Sequence, residues 1–286
     1  MEPIDRICVE VGAARSATKF LGRLLSQHPD LAYWRRPKYI WRHGNAWKPD
    51  DCLTARDATP RIQRFIRRRF TEYMNQHGKQ RLLVTAQSNV LALDFVNEVF
   101  PHGRVIHIIR DGREVAGSQR KEWEQHPDFG SVFKSRLPEV PLTDLPAYAG
   151  EFLGSAWRRV LGNKERYSFG PKIRDWRRLS RSMDRLEFCA VCWRECVRAA
   201  RAMGPRVLGD RYLEVRFEEL VTEPEPVVAR MLEFMELPPA REVDDFVRDK
   251  INRGVAGKWF SRLSEDELQR IVPHMEDLLE ELGYIK

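Results

Sequence analysis

Short apolar runs alternate with longer amphipathic stretches along this chain. Ile7-Cys8-Val9-Glu10-Val11 predicts a strand buried on both faces, because a short apolar run closed by Gly12 suits a covered parallel strand. A helix is expected from there to about Gln27, where His28-Pro29 stops it, since proline has no N–H to donate. Arg81–Thr85 predicts a second strand, Val90–Phe100 a helix closed by Pro101, and Arg104–Ile109 a third strand whose helix starts at Asp111. Tyr212–Phe217 predicts a fourth strand, and Glu225–Met235 and Ser264–Leu282 predict helices. Strands that each feed a helix indicate an α/β fold, a parallel sheet flanked by helices.

Residues 126–182 interrupt this order. Pro127, Pro138, Pro141, Pro146, Gly150, Gly154, Gly162, Gly170 and Pro171 weaken the periodicity, while Phe152, Leu153, Trp157 and Leu161 keep one apolar helical face. The stretch reads as an irregular insertion that forms an acceptor pocket or lid, inside a single domain spanning 1–286. With 286 residues and 42% hydrophobic positions, the chain can bury one sizeable core. No window approaches the roughly 18 apolar residues of a membrane span, and the start lacks the pattern of a signal peptide. Five cysteines, an odd number, fit reduced thiols and a cytoplasmic setting. Cys189, Cys192 and Cys196 fall on one helical face with Leu186, Val197 and Ala200, so they read as core, and no metal is expected.

The net charge is +7, unevenly spread. Basic residues crowd two stretches, Arg61–Arg69 and Arg158–Arg185, whereas the chain after Ser264 is acidic. Such clusters suit an anionic ligand, a nucleic acid or a solvated face. Two stretches carry sharper chemistry. Gly12-Ala-Ala-Arg-Ser-Ala-Thr-Lys-Phe-Leu21 stands where a strand turns into a helix, and there free N–H groups and the helix dipole favour an anion. It is not a Walker A loop, because Ala17-Thr18 replaces the Gly-Lys that would precede Ser or Thr. The second stretch runs from Arg110-Asp111 to Ser118, with Arg110 at a strand tip and Ser118 about two helical turns on. Both can meet one anion if the turn folds the arginine back; otherwise Asp111 caps the helix and Arg110 pairs with a neighbour.

Gly12–Leu21 resembles the 5′-phosphosulfate loop of sulfotransferases that use 3′-phosphoadenosine 5′-phosphosulfate (PAPS). Val105–Ser118 is similar to their 3′-phosphate motif, Leu213–Leu220 to a later strand and turn, and Ile251–Trp259 to their Arg-Lys-Gly loop and Gly-x-Trp. The four stretches fall in the family's order. The resemblance implies a P-loop-like three-layer fold and an enzyme that moves a sulfuryl group from PAPS to an acceptor, releasing the desulfated nucleotide PAP without a metal. It also implies roles. Arg15, Ser16, Ala17, Thr18 and Lys19 would hold the 5′-phosphosulfate, with Arg15 neutralising the leaving phosphate, and Phe20 and Phe217 would line the adenine. Arg110, Ser118, Arg253 and the backbone at Gly254 would bind the 3′-phosphate.

The places where the family carries its base hold Trp34-Arg35-Arg36-Pro37 and Thr85-Ala86-Gln87-Ser88-Asn89 instead. His43 is the nearest titratable candidate, with Glu122 and Glu124 behind it. Expected partners are a small-molecule, carbohydrate or lipid acceptor, and no nucleic acid. Two other classes stand beside this reading: a P-loop-type nucleotide kinase, and a nucleic-acid binder using the basic stretch with Trp157, Tyr167, Phe169 and Trp176 interleaved.

Overall fold

Five parallel strands form the sheet of the computed structural model, which describes residues 6–125, 140–149, 170–251 and 263–285. They are β1 (Ile7–Val11), β2 (Leu31–Arg35), β3 (Arg81–Thr85), β4 (Arg104–Ile109) and β5 (Tyr212–Arg216), in spatial order β2-β3-β1-β4-β5. The register pairs Val9 with Val84 on one side and Val105 on the other, so β1 lies at the centre. The helices are α1 (Thr18–Leu25), α2 (Lys38–Trp41), α3 (Pro60–Gln76), α4 (Leu93–Val99), α5 (Gly112–Gln125), α6 (Trp176–Ser182), α7 (Arg185–Leu208), α8 (Phe217–Thr222), α9 (Pro224–Phe234), α10 (Arg241–Lys250), α11 (Glu265–Ile271) and α12 (Glu276–Glu281). Among the described residues no helix is long and apolar enough to cross a membrane.

Alternation along each strand builds two cores. Val9, Val11, Val84 and Ile109 face a cluster with Trp41, Phe70, Phe95 and Trp193, and Cys8, Leu83, Ile106 and Ile108 face one with Leu21, Leu24 and Met231. The helix α7 is set by Asp184, whose carboxylate accepts from the N–H groups of Leu186 and Glu187 at 2.6 and 3.0 Å. Its Cys189, Cys192 and Cys196 are buried, and burial raises the Cys192 and Cys196 thiols well above their ordinary range. In α3, Ile62, Ile66 and Phe70 turn inward and leave Arg61, Arg64, Arg68 and Arg69 on the solvated side.

Three expectations are corrected. The pattern shows four strands, whereas β2 is a fifth: only Leu31 and Ala32 of its five residues are buried, so the apolar signal is short. Trp34 holds it in place by stacking on Tyr73, ring centroids 4.1 Å apart. The stretch Ser264–Leu282 is two helices joined by a 3₁₀ turn at Val272–His274, because Pro273 lacks the N–H a continuous helix needs. Phe217 is the first residue of α8 rather than the last of a strand.

Candidate active site

The carboxyl ends of the parallel strands form one edge, and the loop Gly12–Ala17 crosses it between β1 and α1. Gly12 is required there: a Cβ at this position would sit 2.7 Å from the Ile108 carbonyl oxygen. Arg15 and Ala17 adopt left-handed backbone, φ 70° and 68°, on either side of Ser16. Alternation of this kind turns successive N–H groups into one concavity, a nest for an anion. No side chain caps α1, so its first N–H groups add to that concavity. The Ser16 hydroxyl is buried and has no hydrogen-bond partner among the described residues. Gln87 Nε2 donates to Thr18 Oγ1 at 2.6 Å, leaving the Thr18 proton to donate elsewhere. Lys19 is exposed, and Phe20 packs on Phe246 of α10 with centroids 6.0 Å apart.

Left-handed backbone costs a residue bearing a Cβ about 1–2 kcal/mol, partly offset because glycine loses more entropy on folding. Ala17→Gly is therefore expected to raise Tm by about 2 °C. A fall of several degrees in a thermal scan would contradict the backbone geometry of the cradle.

Beneath the loop, Glu10 is fully buried and accepts from Thr85 Oγ1 at 2.8 Å, and Tyr33 shares that hydroxyl at 3.0 Å. Burial raises the Glu10 carboxyl well above the carboxylate range.

The helix α5 faces the loop with a stripe at every fourth residue, Glu114, Ser118 and Glu122, continuing the line from Arg110. Arg15 Nε donates to Ser118 Oγ at 3.0 Å, and Arg15 Nη1 lies 3.2 Å from Glu122 Oε2. Arg110 pairs with Glu114, and its guanidinium lies over the Phe217 ring, 4.3 Å from the centroid. Arg110 Nε is buried and has no hydrogen-bond partner among the described residues. Trp193 Nε1 donates to the Arg110 carbonyl at 3.0 Å and pins the strand end. Asp111 accepts from the Arg113 N–H at 2.9 Å and so caps α5. The structure thus brings Arg15 to Ser118, while Arg110 stands eight residues before Ser118 on the same stripe, tied to Glu114 and Phe217. A single carboxylate carries little signal in a sequence, so Glu114 is not among the expected residues, and nothing in the spacing pairs Gln87 with Thr18. The fourfold spacing Arg110, Glu114, Ser118, Glu122 was the available sign.

His43 lies in a different setting. Its Nδ1 is 2.8 Å from Asp144 Oδ2, its ring stacks on Phe65 at 3.7 Å, and it is 8% exposed. Asp144, in the proline-rich stretch, also accepts from the Gly44 N–H at 3.2 Å. That stretch returns to the loop at Gly170, where a Cβ would stand 2.7 Å from Ala14 Cβ. It is anchored next to the loop by Lys172, whose N–H donates to Asp51 Oδ2 at 2.8 Å. Asp51 also accepts from Arg42 at 2.8 Å and Lys38 at 3.3 Å, and these cations hold its carboxyl below the usual range although burial opposes them. Arg253, Gly254, the Glu124 side chain and, within 126–182, residues 126–139 and 150–169 lie outside the described residues.

The model of the sulfotransferase family matches residues 9–140 and 157–242 of this chain. A sulfotransferase domain from the curacin biosynthetic pathway is similar in structure, with 12% identity, TM-score 0.57, and coverage of 96% of this chain and 99% of that one. A sulfotransferase from Alicyclobacillus acidocaldarius is similar at 14% identity and TM-score 0.52, over 99% of this chain and 96% of that one. Mouse sulfotransferase SULT7A1, complexed with PAP, is similar at 12% identity and TM-score 0.51, over 99% and 89%. In sequence, nodulation protein NoeE of Sinorhizobium fredii (strain NBRC 101917 / NGR234) is 24% identical over 138 residues, 43% of this chain. The match spans about a third of that protein's length, 33%.

Proposed function

The chain belongs to the sulfotransferase family, and from that premise we propose that it transfers the sulfuryl group of PAPS to a hydroxyl or amine of a small-molecule, carbohydrate or lipid acceptor. The observation that carries the nucleotide assignment is the nest at Arg15–Ala17, with the buried, unpartnered Ser16 hydroxyl beside a permanent cation. Ser16, Ala17, Thr18 and Lys19 hold the 5′-phosphosulfate in this reading, Phe20 and Phe217 line the adenine, and Arg110 and Ser118 take the 3′-phosphate, with Arg253 and Gly254 beside them. The acceptor oxygen or nitrogen forms a bond to sulfur as the bond from sulfur to the bridging phosphate oxygen breaks, and PAP leaves with that electron pair. Arg15 neutralises the charge growing on the bridging oxygen. The acceptor's proton passes to His43, whose ring Asp144 orients by the logic of a nucleophile's base held by a carboxylate. No metal is required by this scheme. Residues 126–182 supply the acceptor pocket or its lid in this reading. Free cysteines throughout the described chain suit a cytoplasmic enzyme.

Glu122 stands where an anion would be drawn to Arg15. Neutralising it removes a competitor for that cation, so Glu122→Gln is expected to tighten PAP severalfold with kcat changed less. A loss of turnover with unchanged affinity would instead make Glu122 the base. The reading as a whole is tested by calorimetry of PAP against the full chain: micromolar binding is expected, and no binding overturns the nucleotide assignment.

A further inference from the structure

Four neighbouring strands each begin beside an arginine. Arg81 opens β3, Arg6 precedes β1, Arg104 opens β4 and Arg211 precedes β5, and these strands are adjacent in the sheet. At about 4.8 Å between strands the row spans roughly 14 Å. It lies on the amino edge, at the opposite end of the strands from the loop at Gly12. The four arginines line a cleft of about 320 Å³ there, together with His102 and two carboxylates, Asp210 and Glu236, so cations outnumber anions in it. That volume is at the small end of ligand sites, roughly 300–1,000 Å³, and suits a small molecule rather than a polymer.

Two features shape the cleft for an oxyanion. The Arg104 guanidinium lies over the Phe234 ring, 5.4 Å from the centroid, which fixes its plane and turns its edge toward a carboxylate. The Glu236 carboxylate pairs with Arg104 and stands 3.9 Å from Arg81. Glu236 is held with φ 55°, a left-handed conformation that disfavours residues with a Cβ. The carboxylate marks where two guanidinium groups receive an anion. Arg6 is exposed, and its guanidinium makes no bond among the described residues. Arg81 and Arg211 are partly engaged by the carbonyls of Met235 and Gly103, at 2.6 and 2.9 Å. Arg6 is therefore open to a ligand, and Arg104 becomes so once the ligand takes the place of the Glu236 carboxylate.

We infer that this cleft binds a small molecule ending in a tetrahedral oxyanion, a phosphate or sulfate ester, at a site separate from the transfer loop. Arginine forks match such groups with paired charge-assisted bonds. The ligand displaces Glu236 from Arg104. The inference stands on the amino edge alone and does not depend on the proposed reaction.

Calorimetry at low ionic strength, with the full chain and with methyl phosphate and methyl sulfate as separate probes, tests it. At least one probe is expected to bind wild type. Arg104→Gln should weaken that binding about tenfold or more, Arg6→Glu should weaken it as well, and in the Arg15→Ala protein the component lost on Arg104→Gln should persist. Glu236→Gly, which removes the internal competitor and suits the left-handed backbone, should strengthen it. Because the Arg6 side chain makes no described bond, Arg6→Glu remains readable if Arg104→Gln fails to fold. Binding of the phosphate probe alone identifies a phosphate ester, and of the sulfate probe alone a sulfate ester. The site is overturned if neither probe binds, or if Arg15→Ala abolishes binding while the two edge variants leave it intact.

Discussion

Replacing Arg15 with alanine should lower kcat by about 10²- to 10³-fold while weakening PAP far less, on the order of the effects seen when one donor to a developing oxyanion is removed. The side chain of Arg15 is 46% exposed, so water screens its attraction for a phosphate that is already fully charged in the ground state. In the proposed transfer, charge builds on the bridging oxygen next to the Ser16 hydroxyl and the N–H nest, where water would be displaced and the same cation would act more strongly. Arg15→Lys keeps the charge but loses the fork that reaches Ser118 and Glu122 together, so partial rescue is expected. Ser118→Ala is the control for the ground-state contact. The half-exposed position makes misfolding an unlikely source of the loss, and a thermal scan checks it. Equal losses in kcat and in PAP affinity would remove Arg15 from the chemistry and leave it as a binding residue.

Much of this arrangement is legible in the sequence where burial leaves a continuous trace. The strands β1, β3 and β4 begin and end where the apolar runs do, because each is covered on both faces and interrupted by a turn residue or an arginine. The strand β2 leaves no such trace: it lies at the sheet's margin, its outer residues Tyr33 and Trp34 are half-buried, and it leads into Arg35-Arg36-Pro37. At the site, the strand-to-helix spacing locates Arg15 and Ser16, and the distance from Arg110 to Ser118 locates α5 relative to the loop. What spacing does not reveal is which partner each cation takes. That depends on how α5 turns its stripe toward the loop, which follows from the packing of Gly112 against Trp193, where a Cβ would lie 2.6 Å from the ring. Asp144 is hidden for another reason: it reaches His43 across a stretch whose prolines erase periodicity, so no local pattern links residues 101 positions apart.

The preference for a 3′-phosphate is where Arg110 should show itself. PAP and adenosine 5′-phosphate share their 5′ end, so the cradle at residues 12–20 treats them alike, and any difference in affinity reports the 3′ group. The Arg110 guanidinium has only 14% of its side chain exposed, and its Nε is buried without a partner, so a phosphate reaching it gains a bond in a poorly hydrated place. Charge-assisted bonds of roughly 1.5 to 3 kcal/mol convert into about a 10- to 150-fold preference for PAP. Arg110→Ala should erase most of that preference and leave adenosine 5′-phosphate nearly unaffected. Because Arg110 also covers the Phe217 ring, its loss alters the aromatic face as well, which makes a second variant useful. Glu114→Gln keeps Arg110 and Phe217 in place but removes the carboxylate that holds the guanidinium, so it should increase the preference for PAP. Two ligands measured against wild type and each variant form cycles from which the coupling to the 3′-phosphate is read directly. The assignment fails if wild type binds both nucleotides equally, or if Arg110→Ala weakens both to the same extent.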